Sequence, residues 1–181
     1  MFLLVNLLKP TMGMFGDSIM ALWPAEEQLK PFITIKNAFP MRTSSAILTV
    51  VKEDKLHYNA CLYNSGINDY LGNYSPEDKA IRVTIDNQLQ TIALLRERCD
   101  QILVINTWYV DLPWPTDAAL KLNLAMKQNI TSVPRLDTES FILKSDLLDG
   151  GHLTDSGYSK LAKKTTDHFR IFFPWLDFIT R

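Results

Sequence analysis

Short apolar runs alternate with longer amphipathic stretches through most of this chain, and that alternation restricts it to an α/β fold. Consecutive parallel strands need a crossover of a dozen or more residues, and an amphipathic helix supplies the crossover while covering one face of the sheet. Apolar runs bounded by turn formers or charges predict strands at Thr11 to Phe15, Phe32 to Lys36, Asn59 to Asn64, Gln101 to Thr107 and Ser132 to Leu136. Between them, Thr43 to Lys55, Pro76 to Arg98 and Thr116 to Gln128 carry apolar residues at helical spacing. Ser75 before Pro76 and Thr116 before Asp117 read as helix caps. A last helix, Ser156 to Phe173, gathers Tyr158, Leu161, Ala162 and Thr165 on one face and stops before Pro174. The expected architecture is a three-layer α/β/α sandwich around a five-stranded parallel sheet, with all 181 residues in one domain.

Composition narrows the class of partner. Nineteen basic and twenty acidic residues leave a formal net charge of −1, which creates no field to draw nucleic acid or an anionic membrane. Cys61 and Cys99 both lie in apolar runs and are expected to be buried free thiols, with no metal site. The opening Met1 to Leu8 is apolar, but Asn6 interrupts it, and it lacks a basic flank and a cleavage site. It is also far shorter than the roughly 20 apolar residues that span a bilayer. The expected location is the cytoplasm, or the periplasm or exterior if a leader has been removed.

Parallel sheets place their chemistry in the loops at the carboxyl ends of the strands. Phe15-Gly16-Asp17-Ser18-Ile19 presents a hydroxyl at a strand-to-helix turn, where unpaired backbone N–H groups and the helix dipole favour an alkoxide and an oxyanion. The same residues also suit a plain N-cap. Asn64-Ser65-Gly66-Ile67-Asn68-Asp69-Tyr70 offers the Asn68 amide as an oxyanion donor, or makes an ordinary turn. In Asp149-Gly150-Gly151-His152, two glycines let the chain curl so that the Asp149 carboxylate reaches Nδ1 of His152, leaving Nε2 free as a base. His57 and His168 have no such neighbour in sequence and read as surface or packing residues.

Taken in the order Ser, Asn, Asp-x-x-His, these blocks resemble the GDSL/SGNH hydrolase family. The match runs through Gly16-Asp17-Ser18, Gly66-Ile67-Asn68-Asp69 and Asp149 to His152 with the trailing Leu153-Thr154-Asp155-Ser156-Gly157-Tyr158, nearly the whole chain. The resemblance implies a flavodoxin-like sandwich and cofactor-free hydrolysis of esters or thioesters. It makes Ser18 the nucleophile, His152 the base and Asp149 its orienter, with Asn68 and the Ser18 backbone N–H lining the oxyanion hole. One block departs from the pattern: where the family carries an asparagine and then two glycines, this chain reads Asn37-Ala38-Phe39-Pro40-Met41-Arg42-Thr43. A gapless register puts Arg42 at the second glycine, so its backbone N–H is the expected third donor. The competing role for Arg42 is a guanidinium that reaches the oxyanion or an anionic substrate.

Trp108, Tyr109 and Trp114 crowd the loop after the fourth strand, and Trp23 follows the nucleophile closely. Trp23, Trp108 and Tyr109 are candidates for a substrate-binding wall, or they seal the core beneath. The expected function is hydrolysis of a small-molecule ester of a small to medium acyl group. A carbohydrate O-deacetylase of the same mechanism, or a catalytically weak relative that binds an acylated ligand, are the alternatives.

Overall fold

A computed structural model describes residues 9–73, 75–108 and 110–174. The strands are β1 (Thr11–Gly16), β2 (Ile33–Ala38), β3 (Tyr58–Tyr63), β4 (Cys99–Ile105) and β5 (Arg135–Leu136). All are parallel, in the order β2-β1-β3-β4-β5. The helices are α1 (Ser18–Leu22), α2 (Ala25–Gln28), α3 (Ser44–Glu53), α4 (Asp78–Leu95), α5 (Thr116–Asn129) and α6 (Asp155–Arg170). All five expected strands are present, and the sheet is that of a three-layer sandwich.

The two faces of the sheet follow from the period of two along each strand. Met12 and Met14, Ala60 and Leu62, and Leu103 and Ile105 point to one side, where they pack with Trp23, Tyr158, Leu161 and Phe169 of the α1 and α6 layer. The alternate residues Phe15, Cys61, Tyr63, Ile102 and Val104 point to the other, against Ile47 and Val51 of α3, Ile85 and Ile92 of α4 and Leu122 of α5. The three inner strands β1, β3 and β4 are therefore apolar on both faces, whereas β2 and β5 at the edges are only half-buried. Each large aliphatic or aromatic side chain so buried contributes about 1.5–3 kcal/mol.

Several expected boundaries shift for local reasons. The strand expected at Ser132 to Leu136 shrinks to Arg135–Leu136, since Pro134 has no N–H to give the ladder and only its carbonyl is used, by Val104 N at 3.0 Å. Ser75 does not cap α4: its hydroxyl donates to Asp117 at 2.7 Å, and the helix starts at Asp78 behind Glu77. Thr116 is the first residue of α5, behind Pro115, and its hydroxyl donates to Val110 O at 3.0 Å. The free thiols expected at Cys61 and Cys99 are instead a disulfide. Both side chains fall on the same face of neighbouring strands with Cα atoms 5.9 Å apart, inside the range a bridge spans. The expectations for Met1 to Leu8 lie outside the described residues.

Candidate active site

The strand order reverses at β1, whose successor β2 lies on one side and β3 on the other, so the loops after β1 and β3 flank a topological switch point. Gly16 ends β1 where a Cβ would come within 2.6 Å of Met20 Cγ and 3.1 Å of Asn64 O, so a larger residue would push the turn apart. Asp17 is the N-cap of α1, its Oδ1 accepting from Ile19 N at 3.0 Å. The cap role falls to Asp17 and leaves the Ser18 hydroxyl unspent. As the first helical residue, Ser18 has a backbone N–H with no intrahelical acceptor.

Opposite Ser18, the chain returns from the far end of the sequence. His152 Nε2 lies 2.9 Å from Ser18 Oγ, and its Nδ1 lies 2.7 Å from Asp149 Oδ2. Oδ1 of Asp149 accepts from Gly151 N at 3.0 Å and His152 N at 2.8 Å. What burial Asp149 has works against its ionisation, but the bonds from the His152 ring, His152 N and Gly151 N outweigh it and hold the carboxyl below the usual carboxylate range. An ionised Asp149 has only acceptors, so the ring proton sits on Nδ1 and the Nε2 lone pair faces the serine hydroxyl. Asp149 and His152, which the spacing pairs, and Ser18, which the resemblance adds, are brought together.

The third group comes from the turn after β3. Gly66, at φ +112°, leads into a 3-10 turn, Ile67–Tyr70, and a Cβ there would meet Leu122 and Thr84 at 2.9 Å. Asn68 is buried, and its Nδ2 donates one hydrogen to Arg42 O at 3.0 Å, leaving the second. Asp69 was not singled out from the sequence, although it stands in the matched block. Its carboxylate accepts from Ser44 N at 2.7 Å, Ser44 Oγ at 2.6 Å and Thr84 Oγ1 at 2.6 Å. Adjacent residues of one turn thus fasten residues 42–44 to the end of β3. The Arg42 guanidinium is engaged within its own loop: Nη1 donates to Asn37 O at 2.9 Å and the group lies 5.9 Å over the Phe39 ring. The left-handed residue of this loop is Met41, at φ 68°, and not Arg42, so the side chain at Arg42 carries no backbone strain. With Asn68 in the oxyanion-donor role that the resemblance gives it, Asn68→Ala is expected to lower kcat by about 10²–10³ with KM little changed, while Arg42 O also loses its donor. Steady-state kinetics on a neutral aryl ester read this, and a change confined to KM refutes it.

Asp17 is fully buried, and its Oδ2 has no hydrogen-bond partner. Burial outweighs the Ile19 bond and the pull of His152 and raises the carboxyl from 3.8 to about 7. A raised carboxyl binds its proton more tightly in the folded state, so the contribution of Asp17 to stability is greatest below 3.8 and declines as pH rises toward 7. At about 1.4 kcal/mol per pKa unit the decline is at most about 4 kcal/mol. Asp17→Asn is expected to flatten the dependence of unfolding free energy on pH between 4 and 7. Denaturant unfolding at stepped pH checks this, and an unchanged slope refutes it.

The aromatics correct the sequence reading. Trp23 is fully buried, donates to Gln28 Oε1 at 3.0 Å and stacks on Tyr158 at 6.0 Å. Trp108 is fully buried and donates to Gly151 O at 2.7 Å. Neither indole has surface to offer a substrate, and both seal the core. Tyr109 lies outside the described residues. The half-buried Trp114, by contrast, stands edge-on to the His152 ring, with centroids 4.9 Å apart. His57 is not without an acid: its Nε2 lies 2.8 Å from Asp100, but the pair is exposed at the amino end of the sheet, away from Ser18.

Among the described residues, no group of three or more His, Cys, Asp or Glu could hold a metal ion, and no helix is long and apolar enough to cross a membrane. No family model matches the chain. No curated protein matches it either. Solved structures do. A Bacteroides fragilis protein assigned as an acylhydrolase superposes with a TM-score of 0.75 at 19% identity, over 92% of each chain. A GDSL-like lipase from Bacteroides thetaiotaomicron gives 0.69 at 16% identity, over 88% of each chain. A mutant of an acetyl-xylooligosaccharide esterase from Geobacillus stearmophilus gives 0.66 at 13% identity, over 85% of this chain and 91% of that one.

Proposed function

We propose that this chain, which has the fold of the GDSL/SGNH hydrolases, is a serine hydrolase that cleaves carboxylic esters or thioesters of small to medium acyl groups. The observation that carries the reading is the chain of short contacts from Asp149 through His152 to Ser18, 2.7 and 2.9 Å long. Ser18 Oγ attacks the ester carbonyl as His152 Nε2 takes its proton, and Asp149 steadies the imidazolium. The oxyanion is met by the Ser18 N–H, the second hydrogen of Asn68 Nδ2 and the Arg42 N–H. His152 returns the proton to the leaving oxygen, and water activated by the same nitrogen then releases the acyl group from Ser18. Exposed Phe39 and Met41 stand on the loop of Arg42, exposed Leu148 on that of Asp149, and exposed Leu112 on the segment bonded to the Asp149–His152 loop; together they support a substrate with an apolar portion.

A sugar O-deacetylase of the same mechanism is the second reading, supported by half-buried Trp114 beside His152 and by the likeness to the acetyl-xylooligosaccharide esterase. A fluorophosphonate probe tests the enzyme reading, which predicts labelling that disappears in the Ser18→Ala variant. Unlabelled wild-type protein would refute it. Aryl esters of rising chain length, assayed beside acetylated sugars, separate the two substrates.

A further inference from the structure

Three consecutive carbonyls, those of Asp149, Gly150 and Gly151, are hydrogen-bonded from one stretch of the loop after β4, by Trp108, Asp111 and Trp114. Trp114 Nε1 donates to Asp149 O at 3.2 Å, Asp111 N to Gly150 O at 2.7 Å, and Trp108 Nε1 to Gly151 O at 2.7 Å. The two segments also touch where side chains would otherwise stand. A Cβ on Gly151 would lie 2.4 Å from the Trp114 ring, and one on Gly150, at φ +85°, 3.1 Å from the carbonyls of Asp111 and Leu112. The glycines thus do more than let the chain curl: they admit the 108–114 segment to the backbone of the catalytic loop. On its other side the loop is held by the bridge between Leu147 and Leu153 and the bond from Leu148 N to His152 O at 2.8 Å.

Two adjacent glycines have the widest backbone freedom of any pair of residues, yet the loop they occupy must hold an imidazole in reach of two partners at once. Trp108 is fully buried, whereas the half-buried Trp114 sets its ring against that of His152. We infer that Trp114 is a positioning residue for His152, acting through the Asp149 carbonyl and the face of Gly151, with Trp108 as its fixed support. This rests on reading Ser18, His152 and Asp149 as a triad.

Trp114→Phe removes the indole donor and keeps an aromatic ring. It is expected to lower kcat on a neutral aryl ester about ten- to a hundredfold, the effect of a small misplacement of a reacting group, with KM within about threefold. In the substrate-free protein, the far-downfield proton shared by His152 Nδ1 and Asp149 is expected to shift or broaden, while Tm moves by only a few degrees. Gly151→Ala is expected to lower kcat as well, and the Trp114→Ala/Gly151→Ala pair to be no worse than the more damaged single variant, because removing the ring makes room for the methyl group. A proton resonance unmoved in Trp114→Phe, with kcat within twofold of wild type, overturns the inference, as does a double variant whose losses multiply. The proton signal is read without turnover, so it decides the positioning role even for a protein that fails to label at Ser18.

Discussion

Alanine at Ser18 is expected to lower ester turnover by about 10⁶-fold, and alanine at His152 to do the same, since each half of a nucleophile–base pair is idle without the other. The hydroxyl of Ser18 bonds to His152 Nε2, and its deletion removes one small polar group from the edge of the core, so the fold is expected to stay intact. Residual turnover is expected from substrate binding and the proposed oxyanion donors, which neither substitution removes. Steady-state kinetics on a neutral aryl ester, beside a thermal melt of each variant, check this. Activity within tenfold of wild type in either folded variant defeats the assignment, and so does a double variant much weaker than either single one.

Asp149→Asn is expected to cost about 10⁴ in kcat, because it changes hydrogen-bond polarity without changing shape. Three donors converge on the Asp149 carboxylate: the His152 ring, His152 N and Gly151 N. An amide in that place has one accepting oxygen and an NH₂ group. With the oxygen kept by the two backbone N–H groups, the NH₂ faces His152 Nδ1 and selects the tautomer with its hydrogen on Nε2. That hydrogen then points at Ser18 where a lone pair is needed. Neighbouring Asp146 cannot take over, since Lys160 Nζ grips its two oxygens at 2.9 and 2.7 Å and Leu143 N donates to it at 2.9 Å. The check is kcat for Asp149→Asn beside Asp146→Asn. A greater loss of kcat in the second variant, with the fold retained, would show that the wrong acid has been chosen.

The parts of this molecule legible in the sequence are those governed by local period and turn chemistry. Met12 and Met14 alternating with Gly13 and Phe15 announce a strand buried on both sides, and Asp149 reaches His152 because only two residues separate them. What was not legible depends on partners far away in the chain. Nothing local tells Cys61 that Cys99 will stand on the same face of the neighbouring strand, or tells His57 that Asp100 stands second in that strand. The aromatics show the same limit. Trp23 and Trp108 follow the carboxyl ends of strands in the way a binding wall would, and only Gln28, Tyr158 and the Gly151 carbonyl decide that they point inward. Asp69 is polar and next to the expected donor, but its work lies in holding Ser44, which is 25 residues distant in the chain.

The bridge between Cys61 and Cys99 closes a covalent ring over a sequence separation of 38, and that ring contains the Asn68 turn and all of α4. In the chain-entropy view, a ring of this size withholds about 4 kcal/mol of freedom from the unfolded chain. Oxidised and reduced chains are then two proteins with one set of strands. The first returns from denaturant with the Asn68 turn and α4 already inside a closed ring, while the second starts as an open chain. How the protein survives purification thus depends on the thiol chemistry of the buffer as much as on temperature.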